Sequence, residues 1–128
     1  MTKAERKDVE AEVAAAFASY GEALRQGDGA ALDALFWHDP RIVRFGADEE
    51  LWDRTALERF NAARRRIPDR ALGMTRIVAL GGDHAVVATT FHEVGPERVG
   101  RQMQTWARVD GAWRVVAAHV SVRDSEVL

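Results

Sequence analysis

The chain of 128 residues, 47% hydrophobic and 30% charged, has the length and balance of one soluble domain with one core. Its formal charge of −2 carries no basic excess to meet nucleic acid, and it has no cysteine for a disulfide, a thiolate metal site or a nucleophile. The opening MTKAERKDVEAEV lacks the apolar run of a signal peptide, and no window nears the roughly 18 apolar residues of a membrane span, so a cytoplasmic location is expected.

From Glu5 to about Gln26, Val9, Val13, Phe17, Tyr20 and Leu24 recur at steps of three and four, one face of an amphipathic helix with Tyr20 on its buried stripe. Gly27 ends that helix and Asp28 caps the next, whose inner face is Leu32, Leu35 and Phe36 before Asp39-Pro40 stops it. RIVRFGADEELW, residues 41 to 52, then reads as an extended segment. Side chains alternate along it, so Val43 and Phe45 share one side and Ile42 and Arg44 the other. Asp53, or the capping box from Thr55 to Glu58, starts a third helix with Leu57, Phe60 and Ile67 along one side, closed by Pro68.

The second half changes period. LGMTRIVAL, AVVATTFHEV, VGRQMQTWARV and AWRVVAAHVSV are strands separated by Gly-Gly-Asp, Gly-Pro-Glu and Asp-Gly turns, a four-stranded antiparallel meander. Helices first and strands last predict an α+β fold, three N-terminal helices packed on a curved, mainly antiparallel sheet. The two-residue turn at Asp110-Gly111 sets Val109 opposite Ala112, Arg108 beside Trp113 and Trp106 opposite Val115. Continued without interruption, the count puts Gln104 opposite Ala117 and Gln102 opposite His119. One face then carries Trp106, Gln104, Gln102, Trp113, His119 and Ser121, and the other Arg101, Met103, Thr105, Val116, Ala118 and Val120. A three-residue turn at Gly95-Pro96-Glu97 adds Ala88 and Thr90 to the first face and Val87 and Phe91 to the second. The first face, rings beside hydrogen-bonding groups, is the expected cavity lining, roofed by the helices.

Arg44, a permanent cation on the inward side of an apolar strand, either pairs with a core carboxylate such as Glu22 or Glu93, snorkels outward, or awaits an anionic ligand. The third case suits a guanidinium fork, which grips a carboxylate bidentately. Tyr20, the lone tyrosine, is either a core aromatic with a backbone partner or a proton carrier beside that cation. His119 is the one histidine on the expected lining, and Gln102, Gln104 and Trp52 are candidates to orient a small substrate by hydrogen bonds and stacking. The run Arg64, Arg65 and Arg66 reads as a solvated helix end. No His or carboxylate spacing matches a metal site, and no phosphate-binding or dinucleotide motif is present, so the expected chemistry is cofactor-free.

This order of elements resembles the nuclear transport factor 2-like (SnoaL-like) superfamily, a cystatin-like cone. The segments FWHDPRIVRFGADEELW, AARRR and GRQMQTWARVDGAWRVVAAHVS are similar to the AtzH/HpxZ family within it, over about Val9 to Ser121. That resemblance implies one domain over 1–128 and a role in cyanuric acid or oxalurate catabolism. The implied activity is a hydrolase turning 1,3-dicarboxyurea into allophanate, often alongside an amidase-signature enzyme. It also implies a catalytic pair, Tyr20 and Arg44. The rival reading is a non-catalytic accessory that binds an anionic ureido metabolite or a partner amidase. A steroid-type isomerase on this fold needs a carboxylate base that the expected lining lacks. A homodimer through the aliphatic sheet face is expected.

Overall fold

The computed structural model describes residues 1–93 and 97–124. Among these residues lie three helices, α1 (Lys3–Gln26), α2 (Gly29–Leu35) and α3 (Arg54–Ala62). Six strands accompany them: β1 (Val43–Phe45), β2 (Glu50–Leu51), β3 (Ala71–Ala79), β4 (His84–His92), β5 (Arg98–Val109) and β6 (Ala112–Asp124). The strands form one sheet in the order β2-β1-β6-β5-β4-β3, antiparallel except where β1 runs parallel to β6. This is the α+β arrangement that the change of period predicts. The segment 41–52 is more than one strand: it folds back as the short β1–β2 hairpin. No helix among the described residues is long and apolar enough to cross a membrane.

The helix signals act where expected. Gly27, at φ 65°, caps α1 in the left-handed region, and the Asp28 N–H reaches the Ala23 carbonyl at 2.9 Å. Val9, Val13, Phe17, Tyr20 and Leu24 are the buried stripe. Asp28 and Asp53 cap α2 and α3 by accepting from the N–H groups of Ala31 and Ala56. The end of α3 differs from expectation, at Ala62 rather than near Pro68. The Ala63 and Arg64 N–H groups turn to the carbonyls of Phe60 and Asn61, tightening the last turn, and the Ile67 N–H is taken by the Arg25 carbonyl at 3.1 Å. A side chain at Gly27 would meet the backbone of Arg65 and Arg66, so the bare glycine lets this connection lie against the end of α1.

The β5–β6 hairpin begins as predicted, with Asp110 and Gly111 both at positive φ and the pairs Val109↔Ala112, Arg108↔Trp113 and Trp106↔Val115. A bulge then intervenes. Thr105 pairs with Ala117, leaving Val116 unmatched, so Gln104 faces Ala118 and Gln102 faces Val120. Past that point the expected faces of β6 exchange: Ala118 and Val120 turn toward the helices, and His119 and Ser121 turn away. A similar slip corrects β4. Gly95 and Pro96 of the expected turn lie outside the described residues, but Phe91 pairs with Gly100, so Val87 and Phe91 face the helices and Ala88 and Thr90 do not.

Core and helices meet on this inner face, where Trp106, Phe36, Leu32, Ile42 and Val115 are buried. At the hairpin end, Trp113 Nε1 donates to Glu12 Oε1 at 2.9 Å and Arg108 pairs with the same carboxylate at 2.8 Å, tying α1 to the sheet. Hydrogen bonds from Trp113 and Arg108 hold the Glu12 carboxyl below its ordinary value of 4.5. A depressed folded value means the tie stabilises above that pH and fades as pH falls through the lowered value. Glu12→Gln is therefore expected to flatten the acid limb of a stability-against-pH curve. An unchanged limb would contradict the tie.

Candidate functional site

A cavity of about 390 Å³ opens where β1, the β1–β2 loop, α3 and the ends of β4, β5 and β6 meet, a size suited to a small molecule. Arg44, Glu49, Phe60, Arg64, Phe91 and Glu93 are among its walls. The parallel pairing of β1 with β6 sets Arg44 beside Ala118, which pairs in turn with Gln104 on β5. Arg44 and Gln104 thus lie in one row across the sheet with only a methyl group between them, roughly 10 Å from strand to strand.

The Arg44 guanidinium is 5% exposed and stacks on Phe60, 4.7 Å from the ring centre. Neither Glu22 nor Glu93 is its partner. Glu49, carried back by the β1–β2 hairpin, accepts from Nη1, and a side chain at Gly46 would overlap that carboxylate. Of the three readings of Arg44, pairing with a carboxylate is the one the structure shows, with Glu49 in place of Glu22 or Glu93, while its buried Nε has no hydrogen-bond partner among the described residues. Arg64 stacks on the same ring at 4.5 Å. The arginine run is thus only partly a solvated end: Arg65 and Arg66 are exposed, while Arg64 turns inward. Burial chiefly lowers the Arg64 guanidinium from the ordinary arginine value; the Tyr20 phenol opposes that shift, Arg44 adds to it, and Glu49 and Glu93 oppose it.

Tyr20 is 1% exposed and is not part of the cavity wall. Its hydroxyl oxygen accepts from Gln102 Nε2 at 3.0 Å, and Gln102 Oε1 accepts from Arg70 Nη2 at 3.0 Å. Both ends of the Gln102 amide are therefore used inside the protein. The phenolic proton meets no acceptor among the described residues. Arg70 stacks on Phe91 at 4.7 Å, and Gly100 is what lets that ring lie flat across β5, since a Cβ there would collide with it. Gly100→Ala is expected to displace Phe91 and cost about 1–3 kcal/mol by thermal unfolding; an unaffected melting curve would contradict that packing.

Gln104 accepts from Trp106 Nε1 through Oε1 at 3.0 Å. Indole can only donate, which fixes the amide and leaves Nε2 as the orphan. The buried side-chain polar atoms without a partner among the described residues are Arg44 Nε, Arg64 Nη2, Arg70 Nη1 and Gln104 Nε2. Every one is an N–H donor. Two of them, Arg44 Nε and Arg64 Nη2, belong to residues on the cavity wall, beside the carboxylates of Asp48, Glu49 and Glu93, while Arg70 and Gln104 lie behind it. Leaving a buried donor unmet costs about 1–3 kcal/mol, which a ligand bearing acceptors would relieve.

None of the four candidate substrate-binding residues is on the wall of this cavity: Gln102 and Gln104 are buried, and Trp52 and His119 lie on the other side of the sheet. Trp52 is 61% exposed and packs edge-on against Phe45 at 5.1 Å, and His119 packs against the same ring at 5.8 Å. Phe45 faces away from the helices because Arg44 faces toward them, and the β6 bulge sends His119 to join it. Arg101 also lies on that outer side, in an open groove with Met74, Met103 and His119. The sequence reading missed Arg64 and Arg70. The first has a visible signal, since Leu57, Phe60, Asn61 and Arg64 continue one helical stripe at i, i+3, i+4 and i+7. Arg70, in a connection without periodicity, has none.

The AtzH-like family model matches residues 2–126, so the chain belongs to the AtzH-like family. It is similar to a protein of unknown function of the DUF3225 family from Pectobacterium atrosepticum, at 48% identity over 91% of each chain with a TM-score of 0.85. A cystatin-like fold protein from Burkholderia xenovorans is 40% identical, covering 90% of this chain and 92% of its own, with a TM-score of 0.85. An NTF2-like protein of unknown function from Pseudomonas putida, 21% identical over 90% of this chain and 87% of its own with a TM-score of 0.74, shares the fold. No curated protein matches the chain.

Proposed function

We propose that this member of the AtzH-like family is a cytoplasmic, cofactor-free hydrolase that removes a carboxyl group from a small N-carboxylated urea of the 1,3-dicarboxyurea type, leaving an allophanate-type product. The reading is supported above all by one observation: among the described residues the unpartnered buried side-chain polar atoms are N–H donors, and two of them, Arg44 Nε and Arg64 Nη2, belong to residues that line the cavity. A dicarboxylated urea presents carboxylate and carbonyl oxygens to such donors. Arg44 grips the carboxylate that is retained, and Gln104 Nε2 donates to the urea carbonyl, where charge gathers as the bond breaks. The carbamate C–N bond cleaves with its electron pair on nitrogen. That nitrogen takes the Tyr20 hydroxyl proton, and the carboxyl carbon departs as CO2, which water converts to bicarbonate. Solvent then restores the phenol. Tyr20 and Gln104 lie outside the cavity wall, so this step requires the substrate to reach past Arg44 and Arg64 to them.

The enclosure of Tyr20 favours a second reading, an accessory that binds an anionic ureido metabolite or a partner amidase without turning it over. Purified protein incubated with 1,3-dicarboxyurea separates the two. CO2 release above the spontaneous rate is expected; saturable binding with no acceleration would leave only the accessory role. Homodimerisation through the outer sheet face, where Met74, Leu80 and Met103 are exposed, belongs to the same proposal. It predicts a dimer by sedimentation at micromolar concentration, and a monomer there would exclude it.

A further inference from the structure

Arg70, Gln102 and Tyr20 form a linear hydrogen-bonded chain of three buried side chains from three elements: the connection before β3, strand β5 and helix α1. Arg70 and Gln102 are each 3% exposed. The chain has a direction. Arginine can only donate, so Gln102 must present its oxygen to Arg70 and its amino group to Tyr20. That amino group occupies an oxygen lone pair of the phenol, and the hydroxyl proton, without an acceptor among the described residues, is turned to the remaining side. A phenol held this way gives its proton rather than serving as an acceptor for substrate.

We infer that Arg70 is a positioning residue, which acts through Gln102 to present the Tyr20 hydroxyl as a proton donor. The inference rests on the proposed function for its catalytic meaning, though not for its geometry. Placement supports it independently. Stacking on Phe91 fixes the guanidinium plane, and Gly100 makes room for that ring. The backbone carbonyl of Arg70 accepts from Arg25 Nε at 3.3 Å, fastening the residue to the end of α1. A charge-assisted hydrogen bond from arginine polarises the amide and strengthens its bond to the phenol. A space-filling arginine has no need of this three-membered alignment.

Tyr20 is the only tyrosine, so protein labelled with 13C at the tyrosine ζ carbon gives one NMR signal that reports this hydroxyl alone. Wild type is compared with Arg70→Met, Arg70→Lys and Gln102→Leu. Arg70→Met and Gln102→Leu are expected to move that signal, whereas Arg70→Lys, which still donates to Gln102, keeps it near wild type. On dicarboxyurea, kcat is expected to fall about 10²-fold or more in Arg70→Met, the lower range for losing a positioned acid, with KM within about twofold and partial rescue in Arg70→Lys. A tyrosine signal unmoved by Arg70→Met in folded protein would overturn the inference, as would a Lys variant no better than Met. If wild type does not accelerate the reaction, the proposed function fails by itself, and the tyrosine signal still decides the positioning chain.

Discussion

Tyr20→Phe is expected to lower kcat on 1,3-dicarboxyurea by about 10²–10⁴-fold, the range for loss of a positioned general acid, with KM little changed. The substitution removes one oxygen from a chain that has no other tyrosine. Its stability effect is separable: Gln102 Nε2 loses its acceptor in a buried setting, a cost of about 1–3 kcal/mol. The ring's packing against Phe17 and Phe36, each with its centre 6.2 Å away, is kept. Steady-state kinetics beside thermal unfolding therefore distinguish the roles. A folded Tyr20→Phe variant with wild-type turnover would remove Tyr20 from the mechanism.

Arg44→Lys is the second large effect, with the loss falling on kcat/KM. An ammonium keeps the charge and loses both the planar fork and the stacking on Phe60. Truncating a buried, hydrogen-bonded charge contact costs about 2–5 kcal/mol, on the order of 30- to 5,000-fold in kcat/KM. Glu49 makes the test sharper. Its carboxylate occupies Arg44 Nη1 in the manner of a substrate carboxylate, so binding requires the two to share or exchange the guanidinium. Glu49→Gln is expected to lower KM by weakening that internal competitor. If it raises KM as Arg44→Lys does, Glu49 supports the arginine rather than competing with the substrate.

Much of the fold is legible along the chain because the signals are local. Gly27 and Asp110-Gly111 act through their own backbone, Asp28 and Asp53 through side-chain caps three residues on, and the inward side of Arg44 follows from strand alternation alone. What fails is counting across an irregularity. One unmatched residue, Val116, moves His119 from the expected lining to the outer face and brings Ala118 in between Arg44 and Gln104. Nothing in AWRVVAAHV marks where a bulge sits, since every residue there suits a strand. Trp52 is misplaced for a related reason: its neighbourhood is a hairpin, and its ring follows Phe45 rather than Arg44. Arg64 and Arg70 depend on tertiary closure. They are recognisable only once Arg64 lies over Phe60 at the cavity and Arg70 reaches Gln102 behind it.

On the proposed function, the unmet arginine donors of the cavity are completed by a dicarboxylate ligand. Calorimetric titration with glutarate, set against its neutral isostere glutaramide, tests it most directly. Glutarate is predicted to bind saturably at millimolar concentration, more weakly to Arg44→Lys and Arg64→Met, with glutaramide not binding. Equal binding of the diamide, or no glutarate binding by the folded wild-type protein, would contradict the claim.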